Sequence, residues 1–170
     1  MPTGLKQSSS VVSIGFAATE AAPNTFVQAS VDLNLSPLDR EVFVVLAVNL
    51  DPSSPDAVAG TDTSVQSSLT TTSQTGVQGL SNSNCIAAAT NIIRAAGFVD
   101  GGAVFQALGI ETPPATIEYI GIIATNDFFV QLKGNNNLAA KGLQGKMYGY
   151  RAVADASIYA ALVQSEVLSA

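Results

Sequence analysis

Thr25 to Leu35 reads TFVQASVDLNL. Val27, Ala29, Val31, Leu33 and Leu35 alternate with Gln28, Ser30, Asp32 and Asn34. Side chains on a strand point to opposite faces with period two, so this run predicts a strand with one dry and one wet face. Ser36-Pro37 ends it. Upstream, Val12, Ile14, Phe16 and Ala18 repeat the pattern and predict a strand near residues 10–19. Downstream, Glu41 to Leu50 reads EVFVVLAVNL, with Val42, Val44, Leu46 and Val48 on one face and Phe43, Val45 and Ala47 on the other. A β-branched run apolar on both faces belongs in the middle of a sheet, covered on each side by a second layer or a partner subunit.

The rest of the chain extends the β pattern. Asp51 to Asp56 is a Pro/Ser-rich loop, and Thr63 to Ile93 holds no charged residue. Val65, Ser67, Leu69 and Thr71 form one face of an exposed or edge strand, since Thr favours strands; a disordered polar tract is the alternative. Within Ser83–Ala96 the spacing of Cys85, Ala88, Ala89, Ile92 and Ala96 is helical, with caps at Asn82 to Asn84 and Gly97. Asp100-Gly101-Gly102 reads as a turn, and Ala103–Leu108 as a short element of undefined type. Pro113-Pro114 opens a new section. Ile117 to Ile123 predicts a strand buried on both faces, joined through Thr125-Asn126-Asp127 to Phe128–Lys133 as a hairpin. Lys146–Ala154 predicts a strand with Tyr148, Tyr150 and Ala152 on one side. Ala156–Leu168 fits a terminal helix capped by Asp155, or a last strand.

Most of these elements are joined by short Pro, Gly and Asn turns rather than by helices, which favours an antiparallel sandwich or barrel over a parallel α/β architecture. The expected fold is mainly β: an antiparallel β-sandwich, jelly-roll-like, with a helix inserted near 83–96 and a C-terminal helix. Residues 1–10 form an N-terminal arm, and 11–170 a single domain.

Composition narrows the function. Charged residues make up 12% of the 170, about half the usual share, while apolar residues reach 47%. A membrane helix needs about 20 apolar residues in a row. Val42–Leu50 is too short, and Ile117–Leu132 is broken by Glu118, Asn126 and Asp127. The start carries one charge, Lys6, and Gln7 to Ser10 interrupts any apolar core, so no signal peptide is expected. A soluble chain with so little charge is best covered by copies of itself, because interface cores are charge-depleted.

Standard chemistry is missing. Histidine is absent, which excludes a Ser-His-Asp triad and removes the commonest metal ligand. Cys85 is the only cysteine and reads as a buried, inert thiol. Gly142-Leu143-Gln144-Gly145-Lys146 imitates part of a P-loop, but its first glycine is too close and Met147 stands where Ser or Thr must bind magnesium. Asp51, Asp56 and Asp62 could attract a hard cation but lack EF-hand spacing. Lys133, Lys141, Lys146 and Arg151 meet no acid between Phe128 and Ala154, with Tyr148 and Tyr150 among them. Four charges on a chain of net charge -6 argue against direct nucleic-acid binding. No catalytic residue, cofactor or metal is therefore expected. Phe128, Phe129, Tyr148 and Tyr150 are the expected core or interface anchors.

The runs Thr25–Leu35 and Glu41–Leu50 and the segment Ile117–Leu132 together resemble small viral coat proteins of the single jelly-roll type. The resemblance covers most of the chain as a pattern, without a family-specific motif. It implies a compact antiparallel sandwich, a neutral Ser/Thr/Asn-rich surface and an arm, Met1–Ser10, reaching neighbouring subunits. It further implies a virion location, with copies of the chain and other coat proteins as partners. Two departures stand out: a jelly roll has eight strands where six are read firmly, and the 83–96 helix would be an insertion. A surface-layer, fibre or tube subunit shares the same composition, and a monomeric ligand- or sugar-binding β domain is the third reading.

Overall fold

The computed structural model describes residues 2–97, 99, 102–108 and 117–169. Ten strands and one helix follow in order: β1 Leu5–Gln7, β2 Val12–Thr19, β3 Val27–Asp32, β4 Glu41–Pro52, β5 Thr63–Thr70, β6 Cys85–Arg94, β7 Ala103–Leu108, β8 Gly121–Ile123, β9 Asp127–Asn135, β10 Gly142–Ala154 and α1 Ala156–Leu168. They build two antiparallel sheets. Sheet A runs β2-β10-β4-β8, with β1 continuing the β2 edge along β10; sheet B runs β3-β9-β5-β6-β7. With β1 and β7 set aside, eight strands pair in nested order: β2 with β10, β3 with β9, β4 with β8, β5 with β6. That nesting is one long antiparallel ribbon folded back on itself and rolled into two sheets, the jelly roll.

The main core lies between the sheets. The β3 alternation delivers Val27, Ala29 and Val31 to it, and Leu33 and Leu35 follow. Phe128, Val130 and Leu132 of β9 and Ile14, Phe16 and Ala18 of β2 enter it as their alternation predicts. Phe16 meets Phe128 edge to face with ring centroids 5.7 Å apart, the arrangement that aromatic quadrupoles favour. One glycine of the false P-loop has a packing role. Gly145 lies in β10 opposite Phe16, and a Cβ there would stand 2.5 Å from the Phe16 ring.

β4 is covered on both faces, and a bulge redistributes them. Opposite Tyr148 and Gly149 of β10 stand Ala47 and Val45, so Leu46 is the extra residue. A bulge inserts one residue and resets the alternation. Phe43, Val45, Val48 and Leu50 therefore all face the core, while Val42 and Val44 point outward. Val48 does not share the face of Val42 and Val44. The cover on the outer side is the chain's own helix: Ile158, Tyr159, Leu162 and Val163 of α1 pack on Val42, Val44, Tyr150 and Ala152. Asp155 occupies the N-cap position with its side chain making no capping bond.

Five expectations are corrected. The helix near 83–96 is strand β6, hydrogen-bonded on both sides by β5 and β7. An alanine-rich run satisfies either period, and two flanking ladders outweigh its helix propensity. Thr63–Thr70 is not an edge but the strand between β9 and β6, buried along most of its length. Ile117–Ile123 is not a strand buried on both faces: β8 spans three residues, and Ile117, Glu118 and Tyr119 are exposed. β8 and β9 form no hairpin, since Ala124–Asn126 crosses from sheet A to sheet B. The final β10 starts at Gly142, four residues before its predicted start. Asp100 and Gly101 of the expected turn and Pro113-Pro114 lie outside the described residues.

Candidate assembly surfaces

Each sheet of an open sandwich ends in a strand whose outer N–H and C=O groups are unpaired, and soluble proteins commonly protect such edges with charge, proline or brevity. β8 is short, and β3 carries Asp32. The other two edges have no such guard. β2 lies in a stretch from Gln7 to Thr19 without a charged residue. β7, AVFQAL, has neither charge nor proline, and among the described residues no strand pairs with its outer side. Val104 and Phe105 of β7 are 71% and 56% exposed. Phe105 and Ala103 border a shallow apolar groove with Ile92 and the stem of Arg94 from β6. A long charged side chain can lay its methylenes along such a surface while its head stays wet, and the Arg94 head pairs with Asp62 at 3.3 Å.

The four aromatic anchors separate. Phe128 is fully buried between the sheets. Tyr150 is buried beneath α1, and burial raises its phenol pKa, with the charge of Glu118 adding to the effect. Phe129 and Tyr148 are half-buried on strands β9 and β10 of opposite sheets. Sequence reasoning named none of Val104, Phe105 or the buried Glu166. The signal at β7 was present: six uncharged residues containing Val, Phe and Leu, with a flanking glycine, fit an unguarded edge.

The basic residues do not form a patch. Lys141 Nζ binds Asp56 Oδ1 at 2.6 Å, and Arg151 Nη1 lies 3.5 Å from Glu41 Oε2 while its Nη2 donates to the Leu33 carbonyl at 2.7 Å. Their acids come from distant sequence, which a search confined to 128–154 misses. Lys133 and Lys146 are exposed on different sheets.

The three aspartates are dispersed as well. Asp56 accepts the backbone N–H groups of Leu138 and Ala139 besides the Lys141 ammonium, and that ammonium hydrogen bond leads the causes that hold its pKa low. Asp62 accepts the N–H groups of Ala95 and Ala96 and is held low chiefly by them. Asp51 is exposed on β4. No group of three or more metal-ligating side chains occurs among the described residues. Cys85 is half-buried with its thiol near the Ala87 carbonyl, and desolvation raises its pKa. No helix among the described residues is long and apolar enough to cross a membrane.

One end of the sandwich is a continuous polar clasp. The buried Glu20 accepts the N–H groups of Gly134 and Lys141. Asn24 and Asn137 exchange hydrogen bonds, and Asn137 also donates to the Ser64 carbonyl and accepts from the Asp56 N–H. These bonds tie the β2–β3, β4–β5 and β9–β10 connections together. They fix loop ends, with the Glu20 and Asp56 carboxylates already accepting backbone N–H groups.

No family model and no curated protein matches this chain. Among solved structures, a chain from Desmodium yellow mottle tymovirus is similar over 92% of this chain and 96% of its own, at 16% identity and a TM-score of 0.29. A TM-score that low carries no argument about shape or role; the jelly-roll assignment rests on the strand pairing above.

Proposed function

We propose that this chain is a structural, non-catalytic subunit that assembles with copies of itself into a closed coat, a virion shell with other coat proteins as further partners. The observation that carries this reading is the β7 edge, which presents Val104 and Phe105 to solvent with no charge to repel another chain. The low charge of the whole sequence supports it, since crowded neutral surfaces meet with little desolvation cost and little repulsion. The jelly roll supplies a rigid block whose apolar edges are held at fixed positions. Repeated contacts between such blocks close into shells when the symmetry operation closes, and into tubes or fibres when it does not.

Light scattering combined with negative-stain imaging of one sample tests the proposal. Large closed particles are expected, and tubes or sheets would redirect the reading to a fibre or surface layer. The double variant Val104→Lys, Phe105→Lys should stay folded by circular dichroism, because both positions are exposed, and should fall to small species. A wild-type chain that remains monomeric across concentration and salt would overturn the proposal and favour a ligand-binding β domain.

A further inference from the structure

The two ends of the sandwich differ in what their loops present. The β2–β3, β4–β5, β6–β7 and β9–β10 connections share one end, since Thr19 stands opposite Gly142, Pro52 opposite Leu143, Ser64 opposite Asn135 and Thr63 opposite Ile93. Three of their tips read AAP at 21–23, AVA at 57–59 and LAA at 138–140. Ala22, Ala57 and Leu138 are exposed there, Leu138 by 75%, and so are Ala96 and Val99 of the β6–β7 connection. The opposite end, at the β3–β4 connection, carries the exposed charges Asp39 and Arg40 instead.

Loop tips are usually polar and mobile. Here the polar groups bind the tips down and leave apolar atoms outermost. Thr25 Oγ1 donates to the Ala22 carbonyl at 2.6 Å, and the Thr61 N–H donates to the Val58 carbonyl at 3.2 Å. Asp56 Oδ2 accepts the Leu138 and Ala139 N–H groups, and Asp62 Oδ1 accepts those of Ala95 and Ala96. Asn136 Nδ2 donates to the Asp62 carbonyl at 3.0 Å, which ties the β9–β10 tip to the β4–β5 loop. The same bonds take up the charge. Among the described residues of these four connections, the charged ones are Glu20, Asp56, Asp62 and Lys141. Glu20 is buried on backbone donors, Asp56 pairs with Lys141, and Asp62 pairs with Arg94.

A cluster of exposed apolar tips whose charges are already engaged suits a partner surface that is itself neutral. Because the tips are ordered beforehand, docking costs little further loop entropy. Charge then selects the occupant. The chain carries 13 acidic residues against 7 basic ones, so two copies repel each other wherever their carboxylates are free. At this end the carboxylates are buried or paired, and repulsion between copies is weakest. The end also runs into the β7 edge, which starts here with Ala103 opposite Arg94, so a copy seated on the tips is continuous with that edge. We infer that the end of the sandwich formed by tips 21–23, 57–59 and 138–140 is a second self-association surface, which docks on the same end of further copies of this chain. This surface rests on the assembly reading and adds to it a contact made by loops rather than by a strand edge.

Two double variants of the full chain test it, one with Ala22→Lys and Leu138→Lys, the other with Ala22→Glu and Leu138→Glu. They place charge of either sign on the tips, so one carries the test if the other misfolds. Leu38→Glu is the control, at a leucine 95% exposed at the opposite end. All should keep the wild-type circular dichroism and thermal midpoint, because every changed side chain is exposed. Light scattering, under conditions where the wild-type chain assembles, should give both tip variants a mean particle mass at least about tenfold lower, since each contact would bury unpaired charge. Leu38→Glu should assemble as the wild type does. Folded tip variants that assemble normally would overturn this inference alone and leave the β7 edge as the contact. A Leu38→Glu chain that fails as badly would overturn it too, because the response would then be to charge anywhere on the surface. A wild-type chain that stays monomeric would overturn the assembly reading and this surface together.

Discussion

The two outer faces of the sandwich are closed by opposite means. On sheet A, α1 lays Ile158, Tyr159, Leu162 and Val163 on Val42, Val44, Tyr150 and Ala152. At the far end of α1, the main polar ties are the Glu166 carboxylate holding the Ala124 and Thr125 N–H groups and Asn84 Nδ2 donating to the Glu166 carbonyl. On sheet B, segment 71–84 closes over a hydroxyl and amide network. Gln131 Oε1 accepts from Ser68 Oγ at 2.7 Å, and its Nε2 donates to Thr70 Oγ1 at 2.7 Å and Gln28 Oε1 at 3.0 Å. Gln28 Oε1 then accepts the Gln74 N–H, and Ser68 Oγ accepts the Gln78 N–H. Apolar contact is non-directional and scales with area, so α1 is held by how much it covers. The network on sheet B is directional, so segment 71–84 is held in one register. The first cover is strong but tolerant of small shifts, and the second is specific.

Removing the apolar cover should produce the largest effect. A chain ending at Asp155 bares Val42, Val44, Tyr150 and Ala152, three of them fully buried in the intact protein. Each large apolar side chain re-exposed costs about 1.5–3 kcal/mol. The summed loss is on the order of 5–10 kcal/mol, comparable to the whole stability of a domain of this size. Expression as insoluble material, or a soluble product that binds hydrophobic dye and lacks a cooperative melt, is the expected outcome. A truncated chain that melts cooperatively near the wild-type temperature would mean that α1 is ornamental to sheet A.

The directional cover should fail more locally. Gln131→Leu keeps the volume but leaves the Ser68 hydroxyl proton without an acceptor, at a site with 0% exposure for both residues. Thr70 and Gln28 each keep another partner, in the Thr72 carbonyl and the Gln74 N–H. One buried donor left unpaired costs about 1–3 kcal/mol. Chemical denaturation should show that loss with an unchanged m-value, and amide exchange should rise in 71–84 ahead of α1. Equal loosening of both faces would erase the distinction between them.

How much of this was legible depended on which force buried each strand. Where apolar burial is one-sided, as in Val27–Leu35, the alternation is the cause of the fold and can be read directly. Thr63–Thr70 misled because Ser67, Ser68 and Thr70 are buried through hydrogen bonds to Ala89, Gln131 and Thr72, so a polar composition hides a central strand. Cys85–Arg94 misled because alanine is small: Ala87 and Ala89 fill the core on period two, while the neighbouring set Cys85, Ala88, Ala89 and Ile92 fits helical spacing as well. The bulge at Leu46 has no glycine or proline to announce it, and only the register of β10 reveals it. The helix at 156–168 was one of two readings of those residues, and its place on sheet A was not legible, since Val42 and Val44 ask for cover without naming what supplies it. Of the functional surfaces, the aromatic anchors could be named but not located. Glu166 could not be recognised at all, because a lone glutamate in a helix looks like a solvated one.

The smallest effect, and the sharpest for the tie between α1 and the rest of the fold, is the pH response of Glu166. Desolvation leads the causes that raise its pKa above 4.5, opposed by the hydrogen bonds from Ala124 and Thr125. A carboxyl whose folded pKa lies above its unfolded value holds its proton more tightly in the native state. Its contribution is therefore fully present below pH 4.5 and is lost as pH rises through the folded value, after which stability is level again. The other resolved carboxylates act in a different window. Asp56 and Asp62 are held below 3.8, so their stabilisation is lost only as pH falls through still lower values. Desolvation holds the Cys85 thiol above 9.0. Between these limits a falling stability with rising pH should be carried by Glu166. Glu166→Gln should flatten that slope in denaturation curves taken at successive pH values above 4.5, at the cost of a weaker bond to Ala124 and Thr125 throughout. A slope that survives the substitution would mean that the helix end is not held by a desolvated carboxylate, and the contrast between the two covers would then rest on apolar area alone.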